Sequence, residues 1–144
     1  TFTTTELNGT PHLIASYTCT PLVIVPLNAF KAGEHTKART IAELGNRNTP
    51  LDIIEMKKDG ERYILMANSS RALMRFKVSD IEDFGDSLTK PVTVNSGTEG
   101  IDFISLPLVN VQQLAKLNDK QFVMVQRESN GNLALKTGGG NRWL

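Results

Sequence analysis

Residues 53–66 read Ile53-Ile-Glu-Met-Lys-Lys-Asp-Gly-Glu-Arg-Tyr-Ile-Leu-Met66, two apolar runs separated by a polar turn at Asp59-Gly60. Asp-Gly between two strand-forming runs is a strong hairpin signal, because both turn positions must take a positive φ. About 50 residues earlier the chain repeats this pattern. Residues 2–15, Phe2-Thr-Thr-Thr-Glu-Leu-Asn-Gly-Thr-Pro-His-Leu-Ile-Ala15, carry Asn8-Gly9 in nearly the same place. The match continues, with residues 13–24 lying over residues 63–74.

A weaker third copy runs from Val111 to Lys136. It has apolar runs at Val111 to Leu117, Phe122 to Gln126 and Leu133 to Lys136, with turns at Asn118-Asp119 and Glu128-Ser-Asn-Gly131. The units fall at roughly 1–50, 51–109 and 110–144, within one β-rich domain. Lys37 to Leu44 and Val92 to Asn95 are expected as fourth strands of the first two units, each reached through a longer polar loop, and the third unit has no counterpart. Helix competes at Ile41 to Leu44 and Leu108 to Leu117, where apolar spacing of three occurs without a cap. Asp80 to Phe84 reads as one helical turn inside a loop, with Ser79 as its N-cap.

Branched residues and turn dipeptides predict an all-β chain. The runs Leu22-Val-Ile-Val25 and Tyr63-Ile-Leu-Met66 are nearly continuous, as in sheets covered on both faces. Four-stranded antiparallel units of this length resemble the blades of a β-propeller, and the resemblance lies in the repeat. The Gly-His and Trp-Asp signature and the paired glycines of kelch blades are absent. A β-sandwich of about ten short strands is the alternative fold. Because propellers have four to eight blades, the resemblance implies a partial propeller. It would be the C-terminal part of a longer propeller, completed by further blades of the parent chain, or be completed by a copy of itself or another subunit. The opening Thr1-Phe2-Thr3, with no intact signal peptide, adds the expectation of a processed or truncated chain.

The 144 residues, 15.9 kDa, suit a single core, and 40% hydrophobic with 22% charged residues argues against disorder. With a net charge of +1 and no basic block, nucleic acid is not expected as a partner. The longest apolar stretch, Leu22 to Leu27, is broken by Pro26 and is too short for a membrane helix. The lone Cys19 rules out an internal disulfide framework and any multi-cysteine zinc site. Asn8-Gly-Thr and Asn68-Ser-Ser match the glycosylation sequon, as short polar turns do by chance. The propeller resemblance, by analogy, implies a secreted or periplasmic protein.

In a blade arrangement, the loops entering the inner strands, Leu51 to Met56 and Val111 to Leu117, share a face with the turns between second and third strands. That face is the expected binding mouth. It would gather Tyr17 to Thr20, then Arg47, Asn48, Asp52, Asn68 and Arg71, then Glu99, Asp102, Arg127 and Glu128. Arg47 and Arg71 suit a carboxylate or phosphate, while Asp52 and Asp102 suit a cation or a base. For most of these residues, solvated loop polarity is the simpler reading. Cys19 lacks a base in sequence reach, since His12 and His35 read as surface residues. Asp80, Glu82, Asp83 and Asp86 miss the calcium-loop spacing. Gly138-Gly-Gly140 reads as a flexible hinge ahead of an aromatic tail, with Trp143 as an anchor onto a neighbouring unit. No metal site and no cofactor is read from the residues. The expected function is a non-catalytic binding or scaffold module presenting loops to a protein or small ligand. The alternatives are a propeller hydrolase or dehydrogenase, with a metal or quinone partly held by further blades, and a purely structural subunit.

Overall fold

In a computed structural model of the chain, residues 1–94, 97–139 and 142–144 are described. The Asn-Gly and Asp-Gly turns form as expected. Asn8 and Gly9 take φ 48° and 75°, Asp59 and Gly60 take φ 50° and 88°, and each pair closes a two-residue hairpin. The first hairpin joins β1 (Phe2–Leu7) to β2 (Thr10–Ser16), and the second joins β5 (Pro50–Lys58) to β6 (Glu61–Asn68).

Around them the chain builds three antiparallel sheets. The first runs β1, β2, β3 (Pro21–Pro26), β4 (Arg39–Glu43) and β8 (Glu99–Gly100). The second runs β5, β6, β7 (Leu73–Lys77) and β9 (Ile104–Leu106). The third runs β10 (Val111–Lys116), β11 (Gln121–Arg127) and β12 (Leu133–Gly139). None of the sheets closes on itself, and the all-β class is the one expected.

The second sheet is the middle layer. Ile64 and Met66 belong to one buried cluster with Ile14, Leu22, Ile24 and Ile41 of the first sheet. Leu65 and Ala67 belong to another, with Val111, Leu114, Phe122 and Met124 of the third. Consecutive residues of a strand point to opposite faces, so β6 delivers alternate side chains to two different cores. Ile64, Leu65, Met66 and Ala67 are all fully buried. This explains the near-continuous apolar run in the sequence. The same division holds along β7, with Leu73 in the second cluster and Met74 and Phe76 in the first.

Three expectations are corrected. The fourth strand of the second sheet is Ile104–Leu106, paired with β7 through Leu73 opposite Leu106, and not Val92 to Asn95. Val92, Thr93 and Val94 lie outside any strand, and Asn95 is outside the described residues. The helix α1 spans Val78–Asp83 with Lys77 at the N-cap, so Ser79 is inside it; buried Val78 and Ile81 pin it to the first cluster. Gly138 and Gly139 are not a hinge but the end of β12. A Cβ on Gly138 would lie 2.4 Å from the Phe122 ring in the register-paired strand, so this position needs glycine for packing. Gly140 is outside the described residues. Ile41 and the Val111–Lys116 stretch are strand, which removes the helical reading there.

The tail turns back onto the second sheet. Arg75 donates to the Trp143 carbonyl at 3.1 Å, Lys58 donates to the Leu144 carbonyl, and Leu144 is buried in the second cluster. The aromatic anchor is therefore seated on the neighbouring sheet.

Two-sided burial makes a specific demand on adjacent residues. Ile64→Ala and Leu65→Ala should each lower unfolding free energy by about 2–5 kcal/mol in urea titrations. The exposed neighbour Glu61→Ala should stay within about 0.5 kcal/mol. A sheet with one wet face would show the large loss at only one of the two.

Candidate functional site

Three turns between second and third strands, at 17–20, 69–72 and 128–132, lie at one end of the sheets with the loops that enter β5 and β10. Backbone bonds tie each turn to its neighbouring loop. Cys19 N donates to Asn48 O at 3.1 Å, Ser69 N to Thr49 O at 2.9 Å, Leu73 N to Leu108 O at 2.8 Å, and Arg127 N to Asn110 O at 3.0 Å. These bonds join the turns to the loops that enter β5 and β10.

Its most organised part lies between the first and second sheets. Asn48 and Asn68 are both 1% exposed, and Asn48 Nδ2 donates to Asn68 Oδ1 at 2.8 Å. Asn68 Nδ2 donates in turn to the carbonyls of Met66 and Ala72, each at 3.1 Å. Ser70 completes the set, its hydroxyl donating to Arg47 O at 2.7 Å and its N–H to Asn48 Oδ1 at 3.3 Å. Such buried amides hold loops only while their donors and acceptors are paired. With Asn68 buried, its sequon is closed to modification in the folded chain.

Backbone strain collects at the same place. Cys19, Thr20 and Arg47 have φ of 71°, 54° and 56°. A left-handed conformation is unusual for a β-branched threonine and costs on the order of 1–3 kcal/mol per residue. Hydrogen bonds hold it: Thr20 N donates to Tyr17 O, its hydroxyl donates to Gly45 O, and its carbonyl accepts from Leu44 N. Gly45, at φ 93°, lets the Arg71 guanidinium lie directly against the backbone, where a Cβ would be 2.1 Å from an Arg71 nitrogen. Arg71 Nε is buried with no hydrogen-bond partner among the described residues.

Beside this junction is a pocket of about 450 Å³ whose lining includes Cys19, Glu43, Gly45, Asn46, Pro91 and Val94. Burial pushes the Glu43 carboxyl above its ordinary value. Glu43 and Gly45 were missed in the sequence. Their signal was position alone, the end of the candidate strand Lys37 to Leu44 where it meets Gly45-Asn46.

The remaining predicted residues are dispersed. Asp52, on the edge strand β5, accepts from its neighbour Ile53 N at 2.8 Å and from Leu114 N at 2.7 Å, which latches the second sheet to the irregular start of β10. Asp102 precedes β9, three strands from β5 and towards the opposite end, beside Asp80, Lys77 and Phe103. Arg127 donates to Gly131 O within its own turn, and Glu128 pairs with Lys136 at 3.2 Å. Glu99 lies in the edge strand β8, opposite Glu43. Arg47, Asn48, Asn68 and Arg71 are therefore brought together, whereas Asp102 is not.

Of the acidic loop, Glu82 is taken by Arg62 at 2.8 Å and by Asn8 N at 3.0 Å. No group of three or more His, Cys, Asp or Glu residues suited to a metal occurs among the described residues. No helix among them is long and apolar enough to cross a membrane. The junction offers guanidinium, amide and hydroxyl groups for hydrogen bonding, and among the described residues it shows no paired nucleophile and base. Comparison with family models, with curated proteins and with solved structures finds no match to this chain.

Two outcomes follow for the junction. Asn68→Ala strands the Asn48 amide and two carbonyls, and should cost about 1–3 kcal/mol in chemical denaturation, more than the exposed Ser69→Ala. For Glu43 the folded state holds its proton more tightly than the unfolded chain. Its stabilising contribution is present below the ordinary carboxylate range and is lost as pH rises through the raised value. Glu43→Gln should therefore raise the denaturation midpoint at neutral pH and give no gain at about pH 3.5.

Proposed function

We propose that this chain is a non-catalytic binding and scaffold module, three sheets of a propeller-like stack that present the turns at 17–20, 69–72 and 128–132 to a protein or small ligand. One observation carries the reading: the middle sheet buries both faces, residue by residue, against sheets of the same antiparallel kind. That packing lines the turns up at one end. Loops held by a rigid scaffold are the usual place for recognition. Arg47 and Arg71, set around buried Asn48 and Asn68, favour a ligand carrying carboxylate or other acceptor oxygens.

A structural-subunit reading is supported by a different observation. Phe2, Leu133 and Leu135 are 69%, 58% and 76% exposed on the outer sides of the first and third sheets. The two readings are compatible, since a stack can present turns at one end while its flat faces make contacts.

The binding reading is tested by titrating isotopically labelled chain with an acidic peptide library while following backbone amide shifts. Perturbations grouped on Tyr17 to Thr20, Arg47, Asn48 and Ser69 to Arg71, and lost in Arg71→Ala, are expected. Shifts confined to the opposite end, near Asn8 and Asp59, would overturn the assignment of the face. Hydrolysis of the peptides abolished by Asp52→Asn would replace the module with an enzyme.

A further inference from the structure

The edge of a sheet leaves backbone N–H and C=O groups unpaired, and folded chains cover or interrupt such edges. Two of the three sheets are covered at their far edge by chain from elsewhere in the sequence. β9 runs along β7, with Leu106 opposite Leu73 and Ile104 opposite Arg75. Along β4, Gly100 stands opposite Ala42, and Leu88 N donates to Thr40 O at 2.9 Å. The near edges, β1, β5 and β10, sit against one another. β12 differs from all of these. Among the described residues it pairs with β11 alone. Its register runs without a shift from Gln121 opposite Gly139 to Arg127 opposite Leu133, and the strand holds no proline.

The second sheet shows the form of what fits there, and the third sheet shows its chemistry. Leu73 of β7 and Leu106 of the added strand β9 face each other across that edge and share the second cluster. Leu133 and Leu135 lie by register on the face of β12 turned away from Phe122 and Met124, and they are 58% and 76% exposed. Ala134 and Lys136 alternate with them and point to the other side. Residues 111–139 carry four basic side chains, Lys116, Lys120, Arg127 and Lys136, against Asp119 and Glu128 alone. Lys116 and Lys136 pair with those two acids, while Lys120 and Arg127 are in no ion pair among the described residues.

We infer that the open edge of β12 takes an extended acidic segment of a partner protein as a fourth, antiparallel strand. Apolar residues of that segment lie beside Leu133 and Leu135, and an acidic residue lies beside Lys136. Main-chain hydrogen bonds to the strand edge supply the affinity, and the alternating side chains supply the choice of partner. The excess of basic side chains selects an acidic segment. It also disfavours a second copy as the occupant, since pairing two β12 edges would set two basic sheets side by side. This edge is a separate surface from Arg47 and Arg71, so the inference goes beyond the recognition proposed for the turns.

Hydrogen exchange read by NMR tests this on the full chain, with an acetylated and amidated octapeptide of alternating valine and glutamate as the probe. With peptide at about ten times its dissociation constant, the edge-facing amides among Leu133 to Thr137 should exchange about tenfold more slowly, and those of β6 should be unchanged. The same peptide methylated on every backbone nitrogen keeps its charge and side chains but donates no hydrogen bond, and it should protect nothing. Lys136→Glu should weaken binding of the unmethylated peptide about fivefold or more while keeping the wild-type circular dichroism. Equal protection by the methylated peptide would mean adsorption by charge and would overturn strand addition. Perturbations confined to Arg47, Asn48 and Ser69 to Arg71 would leave the turn reading standing and overturn the edge. A free chain that runs at twice its 15.9 kDa mass with β12 already protected would give the edge to a second copy, and overturns the assignment to a partner segment. Unchanged exchange along β12 at saturating peptide overturns it as well.

Discussion

The structure depends on one constraint, that a single strand must satisfy two cores at once. β6 sends Ile64 and Met66 to the first sheet and Leu65 and Ala67 to the third, with none of the four exposed to water. A strand under that demand has no polar face to offer, and a slip by one residue would exchange every partner on both sides. The register of the second sheet therefore sets where its neighbours lie. The requirement for glycine at position 138 is a consequence at one remove, since the Phe122 ring that fills the second core needs the space over β12.

Polar links fix how the layers are oriented once the apolar contacts have brought them together. At the turn end, Asn48 and Asn68 bind the loop entering β5 to the turn leaving β6. At the opposite end, Arg62 reaches Glu82 of α1 and the Glu6 carbonyl of the first hairpin, and lies 3.7 Å from Glu55. Asp52 makes the corresponding link to the third sheet through Leu114 N. Hydrophobic burial is non-directional, so it supplies most of the association and little of the angle. These hydrogen bonds are each modest in net energy, yet expensive to leave half made. The strained residues Cys19, Thr20 and Arg47 are tolerated because the same bonds hold their loops from several sides.

Much of the strand framework was legible because it rests on local chemistry. Asn8-Gly9 and Asp59-Gly60 could form few turns other than the ones observed, and the alternating or continuous apolar runs beside them could be read as strands. The errors share a cause. The fourth strand of the second sheet is only Ile104–Leu106, and a three-residue strand carries no periodicity; it exists because β7 offers a free edge at Leu73 to Arg75. The helical turn expected at Asp80 to Phe84 starts earlier, at Val78, because burial of Val78 and Ile81 and no local cap sets its first residue. Gly-Gly-Gly looked flexible in isolation, and no local rule shows that Gly138 stands across from an aromatic ring.

The sequence alone determined the β class and the two tight hairpins, because turn dihedrals and strand periodicity are properties of a few adjacent residues. Only the tertiary structure decided that Asn48 and Asn68 are buried partners, that Asp52 is a latch between sheets, that Glu43 borders a pocket, and that Asp102 lies apart from all of them. Those outcomes depend on which strand edges and faces meet across tens of residues, and the free energy of such contacts belongs to the packed pair and to neither segment by itself.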